Sequence, residues 1–188
     1  MSRRVVVTGM GGITALGRDW PTIEANLRAG RNAIVRIPEW DMFENMNTRL
    51  GAPVADFSTP PHWPRKNTRS MGRVAQLAVA ATESAIKDAG LADDPCIRDG
   101  RMGVAYGSSF GSMDPIKLCG HALSTGSTRG ITSTSYLQAM SHTTAVNVAL
   151  HFELKGRIIP TSSACSSASH AIGYSFEAIR AGRQAMMV

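Results

Sequence analysis

Three observations predict an α/β layered fold. Runs of β-branched and apolar residues alternate with segments of helical periodicity, Gly and Ser punctuate the junctions, and no repeat of fixed period runs through the chain. The 188 residues suit one large domain or a piece of one, and 43% hydrophobic against 18% charged residues suffice for a sizeable core, which excludes disorder along the whole length. No apolar run approaches the roughly 20 residues of a membrane span. The opening Met1-Ser2-Arg3-Arg4 leads into only three valines, too short for the apolar region of a signal peptide.

Residues 3–8 read as a first strand and residues 9–17 as a glycine-rich turn that needs φ > 0. A short helix over 21–29 follows, capped by Asp19 and stopped by Gly30. Residues 31–65 hold five of the nine prolines and two tryptophans, so they read as an irregular surface excursion with one short strand. From 71 to 89 the apolar positions Met71, Val74, Leu77, Ala78, Ala81, Ala85 and Ala89 recur every three or four residues, and Gly90 closes a helix. Residues 101–106 look like a buried strand, 124–135 like a loop, 143–152 like a helix and 157–160 like a short strand. A last helix over 164–181 carries Ile172, Phe176 and Ile179 on one face. Beyond Gly182 the run Ala185-Met186-Met187-Val188 resembles the opening of another buried strand, which makes the chain read as a fragment.

Cys96, Cys119 and Cys165, without a secretory signal or close zinc-type pairing, suggest free thiols in a reducing compartment. Twenty basic against fourteen acidic residues leave a net charge of +6 and a pI near 9.7, which suits an acidic partner. Charge alone does not choose between nucleic acid, phosphate and an acidic protein.

Three constellations could carry chemistry. The glycine-rich start invites a dinucleotide reading, but a GxGxxG pattern from Gly9 fails at Thr14, the short-chain-dehydrogenase spacing fails at Ile13, and none of Tyr106, Tyr136 and Tyr174 has a lysine four residues on. Gly107-Ser108-Ser109-Phe110-Gly111 matches a nucleophile elbow after a strand. An elbow launches a helix, however, and here Pro115 arrives in a stretch without helical apolar period. In the third, a short apolar strand runs into Ser162-Ser163-Ala164-Cys165-Ser166-Ser167, which puts Cys165 at the first turn of a helix. Unpaired amide donors and the positive end of a helix dipole favour a thiolate there, small neighbours leave room for an acyl chain, and backbone N–H groups can hold an oxyanion. Cys96 and Cys119 lack that setting. His170 lies five residues after Cys165, about 140° around a helix; with His62, His121, His142 and His151 it reads as a surface or packing residue.

These segments resemble the β-ketoacyl-acyl-carrier-protein synthases of the thiolase superfamily, specifically the elongating type II kind. The resemblance spans the chain from Arg4-Val5-Val6-Val7-Thr8-Gly9-Met10-Gly11 through Ser163-Ala164-Cys165-Ser166 to Met187-Val188. It includes Arg65-Lys66-Asn67-Thr68-Arg69, Ala89-Gly90-Leu91, Gly107-Ser108-Ser109-Phe110-Gly111 and Ala145-Val146-Asn147. Met71-Gly72-Arg73-Val74 and Ile172-Gly173-Tyr174 are most similar to the aryl-polyene subgroup.

The resemblance implies the N-terminal half of a thiolase-like layered fold, with a mixed sheet between helices. It implies that Cys165 takes an acyl chain as a thioester, with its own backbone amide as one oxyanion donor, and that malonyl carrier then loses CO2 and condenses. Phe110 falls at the apolar gate of the acyl pocket. Lys66 and Arg69 fall on the docking positions for an acidic acyl carrier protein, with Arg65 and Arg73 beside them, whereas Ser70 replaces a further basic position. Substrates ride on phosphopantetheine, with no cofactor or metal. The expected assembly is a homodimer, or a pair with a related subunit, in the cytoplasm, with residues 157–160 near the two-fold axis and neither nucleic acid nor membrane as partner. Two histidines and a lysine of the family's chemistry belong to a second half, so the 188 residues alone are expected to be inactive in condensation and poorly soluble. Rival readings are a non-catalytic chain-length-factor-like subunit, which usually lacks the cysteine, and a serine hydrolase using Ser109.

Overall fold

The computed structural model describes residues 3–188; Met1 and Ser2, the first residues of the start read above, lie outside the described residues. Arg3 to Ile13 form no strand or helix, which corrects the strand expected over 3–8. Val6 and Val7 are 63% and 81% exposed. They pair with no strand among the described residues, and a strand exists only through its ladder bonds. Instead the segment lies along a helix: a Cβ at Gly9 would meet Ala85 O at 2.4 Å, and one at Gly11 would meet Ala81 O at 2.1 Å. These glycines are therefore needed for close approach, and neither has positive φ.

Helix α1, Trp20–Arg28, is capped as the sequence implies, Asp19 accepting from Thr22 N, and Gly30 follows at φ +65°. Across the proline-rich stretch the chain forms a two-residue antiparallel pair, β1 (Val35–Arg36) with β2 (Leu50–Gly51), around a 3-10 turn at Pro38–Met42. The four-residue helix α2, Arg65–Thr68, leads into α3, Arg73–Asp88, which Gly90 ends at φ +70°. The buried stripe of α3 is Ala75, Ala78, Val79, Thr82 and Ile86, rotated from the expected row. The row through Ala81 and Ala85 is half-buried under Gly9 and Gly11, so two faces of α3 are covered by different partners.

Strand β3, Met102–Gly107, is the centre of a parallel three-stranded sheet of order β4-β3-β5, with β4 at Ile158–Thr161 and β5 at Met186–Met187. Successive residues of β3 point to opposite faces. Met102 and Val104 enter the core with Val79, Val148 and Ala149, contributed by α3 and by α6 (Thr143–Phe152). Gly107 faces the start of α7 (Ser167–Arg180), where a Cβ would meet Ser167 backbone atoms at 2.2 Å. Helices therefore cover both faces, as parallel sheets require.

Two helices occupy what the sequence reading left unstructured. Helix α4, Met113–Thr125, carries Pro115 in its first turn, where a missing N–H costs nothing, and ends at Gly126 with φ +73°. Helix α5, Ser133–Ala139, begins inside the expected 124–135 loop, with Thr132 and Ser135 forming a reciprocal cap. The last helix is also turned over: α7 buries Ser167, Ala171 and Ala178, while Ile172 and Phe176 are 71% and 42% exposed. Its small residues face inward because Gly107 and the sheet approach too closely for large ones. Among the described residues no helix is long and apolar enough to cross a membrane.

Candidate active site

Parallel pairing sets Gly107 of β3 beside Thr161 of β4, so the two loops that leave the sheet there emerge together. Ligand sites of parallel α/β sheets form at this carboxyl end. Ser108 N donates to Thr161 O at 3.0 Å, and Ser108 Oγ to Phe110 O at 2.6 Å, which fixes the start of the first loop. Phe110 and Ser109 are exposed on it. Ser109 makes no hydrogen bond with a histidine among the described residues.

The second loop carries Cys165. It lies ahead of α7 rather than in its first turn, since Ser166 is the N-cap residue and the helix starts at Ser167. Ser166 N donates to Ser163 O at 3.0 Å, closing a turn whose second residue, Ala164, sits at φ +48°. A non-glycine residue there costs on the order of 1–3 kcal/mol and persists only where its surroundings impose it. Ser167 imposes it. Its Oγ accepts from Ser163 N at 2.9 Å and donates to Ala164 O at 2.7 Å, its N–H donates to Ala164 O at 3.1 Å, and its own carbonyl accepts from Thr161 Oγ1 at 2.7 Å. The Cys165 side chain is exposed on this elbow, and its amide donates to no group among the described residues. Among the other thiols Cys96 is buried, which, with Asp94 beside it, pushes its thiol upward and makes it inert. Cys119 is exposed on α4.

The sequence reading missed one partner of the elbow. His170, on the first turn of α7, shares a 2.8 Å hydrogen bond between its Nδ1 and Ser163 Oγ. Helical side chains lean toward the N-terminus, so a histidine in the first turn reaches back over the residues before it. That lean was a usable signal.

The basic positions separate into two kinds. Arg65, Lys66 and Arg69 lie exposed on and just after α2, and none forms an ion pair among the described residues. Arg73 is also exposed, but its guanidinium donates to Phe57 O at 2.9 Å and to Val54 O and stacks over the Phe57 ring, so it ties the 31–65 excursion to α3. Ser70 donates to Asn147 Oδ1 at 2.9 Å, holding the end of this basic segment to α6. Among the described residues no group of three or more His, Cys, Asp or Glu could hold a metal ion. A cavity of about 520 Å³ opens at the other end of α7, lined by Arg157, Ile159, Tyr174, Glu177, Arg180 and Arg183 among others, and does not reach Cys165.

The family described as Beta-ketoacyl synthase, N-terminal domain, matches residues 2–188. The chain belongs to the beta-ketoacyl synthase family. A β-ketoacyl synthase from Burkholderia phymatum is 61% identical to it and superposes with a TM-score of 0.92, over 98% of this chain and 45% of that one. The 3-oxoacyl-[acyl-carrier-protein] synthase 1 of Haemophilus influenzae is 31% identical over 97% of this chain and 44% of its own length. Nodulation protein E of Rhizobium meliloti is 35% identical over 100% of this chain and 46% of its own. The chain thus spans less than half the length of these relatives, and the layered α/β ketosynthase fold expected from the sequence is the fold observed.

Proposed function

We propose that the protein is a β-ketoacyl-acyl-carrier-protein synthase in which Cys165 is the acyl acceptor. The observation that carries this reading is an exposed thiol on a strained turn, held at the carboxyl end of a parallel strand and directly ahead of the 14-residue helix α7. Strained backbone gathers at functional sites. In the first step the Cys165 sulfur attacks the thioester carbonyl of an acyl carrier. A new S–C bond forms, the old one breaks, and the thiol proton goes to the departing phosphopantetheine thiolate. The free Cys165 amide and the α7 N-terminus supply donors for the oxyanion. In the second step malonyl carrier loses CO2, the resulting carbanion attacks the acyl carbonyl, and Cys165 leaves as thiolate. That half of the cycle is assigned to the part of the relatives that this chain does not cover.

Acyl carrier protein is the proposed partner, docking on Arg65, Lys66 and Arg69, which are exposed and form no ion pair among the described residues, with phosphopantetheine-borne substrates and no metal or cofactor. Arg73 is left out because its guanidinium is engaged within the chain. Phe110 is proposed as the gate residue of the acyl pocket, since its loop leaves β3 beside the loop that bears Cys165. A second copy, or a related subunit, is proposed to cover the β4 edge. The test is intact mass of the full-length protein, in a Cys119→Ser background, after incubation with acyl carrier. One acyl group is expected per chain, lost in Cys165→Ala. Acyl-enzyme formation and condensation that persist in Cys165→Ala would remove the assignment.

A further inference from the structure

Nothing in the chemistry above uses His170, yet among the described residues its imidazole has one hydrogen-bond partner, and that partner belongs to the nucleophile's turn. Ser163 is gripped twice, its backbone N–H by Ser167 Oγ at 2.9 Å and its side chain by His170 Nδ1 at 2.8 Å. Two residues on stands Cys165, with Ala164 at φ +48° between them. Ser167 and the bond from Ser166 N to Ser163 O fix the backbone side of this turn. Without a bond to its Oγ, Ser163 could rotate its side chain, and the amide plane entering Ala164 could relax toward an ordinary negative φ, carrying the thiol with it. The His170 amide donates to Ser166 O at 3.0 Å at the start of α7, and its exposed ring meets Tyr174 edge-on at 6.5 Å between centroids.

We infer that His170 is a positioning residue for the acylation step: through its hydrogen bond to Ser163 Oγ it holds the strained Ala164–Cys165 turn in the orientation that presents the thiol to an acyl thioester. This deepens the ketosynthase reading and rests on it. The imidazole needs no contact with substrate, and its work is done by one hydrogen bond. A misplacement of about 1 Å at a reacting atom costs on the order of 100-fold in rate. Relaxation of one turn held at a second point by Ser167 should cost part of that, roughly tenfold.

The experiment measures Cys165 acylation by acyl carrier in the full-length protein, separated into kcat and KM, alongside alkylation of the same thiol by iodoacetamide. His170→Ala and Ser163→Ala are each expected to lower kcat for acylation about tenfold with KM unchanged, and the double variant to fall no further than either, because both remove one bond. Alkylation by the small reagent should stay within twofold, and the buried Cys96 should stay unlabelled, which reports that the variants are folded. His170→Asn, whose side-chain amide can meet Ser163 Oγ, should restore most of the rate. Where His170→Ala does not fold, His170→Asn and Ser163→Ala carry the comparison. The inference is overturned if His170→Ala acylates within twofold of the unmodified protein, if the single losses multiply in the double variant, or if Asn gives no rescue. Failure of the underlying reading is seen separately, as acylation that survives in Cys165→Ala.

Discussion

Gly107→Ala tests whether the sheet sets the place of the nucleophile's turn. A Cβ on Gly107 would stand 2.2 Å from the carbonyl carbon and oxygen of Ser167 and 2.5 Å from Ala168 N, roughly 1 Å inside ordinary van der Waals contact. All three atoms are backbone, so no side-chain rotation relieves the clash, and β3 is the central strand with a neighbour on each side. The start of α7 must therefore move by about 1 Å, and Ser167, which clamps Ser163 and Ala164, moves with it. Overpacking of this kind costs about 1–3 kcal/mol, and a clash made wholly with backbone atoms places Gly107→Ala near the upper end. At a urea dependence of about 2 kcal/mol per molar, the unfolding midpoint should drop by roughly 1.5 M. The same displacement at Cys165 should slow acylation on the order of 100-fold. Urea titration reads the first number and intact-mass time courses the second. A Gly107→Ala protein whose midpoint falls by under about 0.25 M and which acylates normally would refute the argument that this glycine fixes the spacing.

Three further outcomes follow from other contacts. His151 is half-buried against Trp63 and Phe152, its Nδ1 has no partner, and burial lowers its affinity for a proton despite the opposing charge of Glu83. The unfolded chain therefore binds that proton first, so stability should fall as pH drops below about 6.5 and level off below the folded-state value; thermal melts of His151→Phe should lose this slope. Lys66→Glu with Arg69→Glu should raise KM for acyl carrier about tenfold and flatten its salt dependence with kcat unchanged, as expected of rim charges that steer a partner. Gly120→Ala, mid-helix in α4 with open space around the new methyl, should stabilise by about 0.5–1 kcal/mol in the same urea titration.

How far the fold could be read depended on whether a segment's own residues decided its structure. The Asp19 cap, the glycines after α1 and α3, and the apolar strand at Met102–Gly107 are local signals, and each element stands close to where they put it. Helix α4 was hidden because Pro115 reads as a breaker unless its place in the first turn is known, and because Leu123 is 90% exposed, so the helix shows no clean buried stripe. The 3–8 strand failed for the opposite reason, since three valines have strand propensity but no described neighbour to pair with. The face of α7 was misread because periodicity marks large apolar residues, whereas close approach to a sheet selects small ones. At the site, Cys165 was legible from its small neighbours and the strand before it. The Ser163–His170 bond depended on where α7 begins, and the expected start at 164 would have put His170 in the second turn of the helix, with Ser163 just ahead of it.

Close backbone approach links these cases and explains why so much of the architecture rests on residues without side chains. Gly9 and Gly11 let the N-terminal segment lie on α3 at Ala81 and Ala85, and Gly107 lets α7 begin against β3. In each place a side chain would insert a spacer of more than 1 Å between backbones that now touch. For α3 that spacer would loosen packing and little else, because the chain there carries no chemistry in the proposed cycle. For α7 it would shift Ser167, and with it the two hydrogen bonds through which Ser167 Oγ holds Ser163 and Ala164. A positive φ at Ala164 is affordable only while those bonds and the Ser163–His170 bond hold together. The geometry of a reactive thiol on a loop is thus set one layer down, by how closely the central strand allows the following helix to approach.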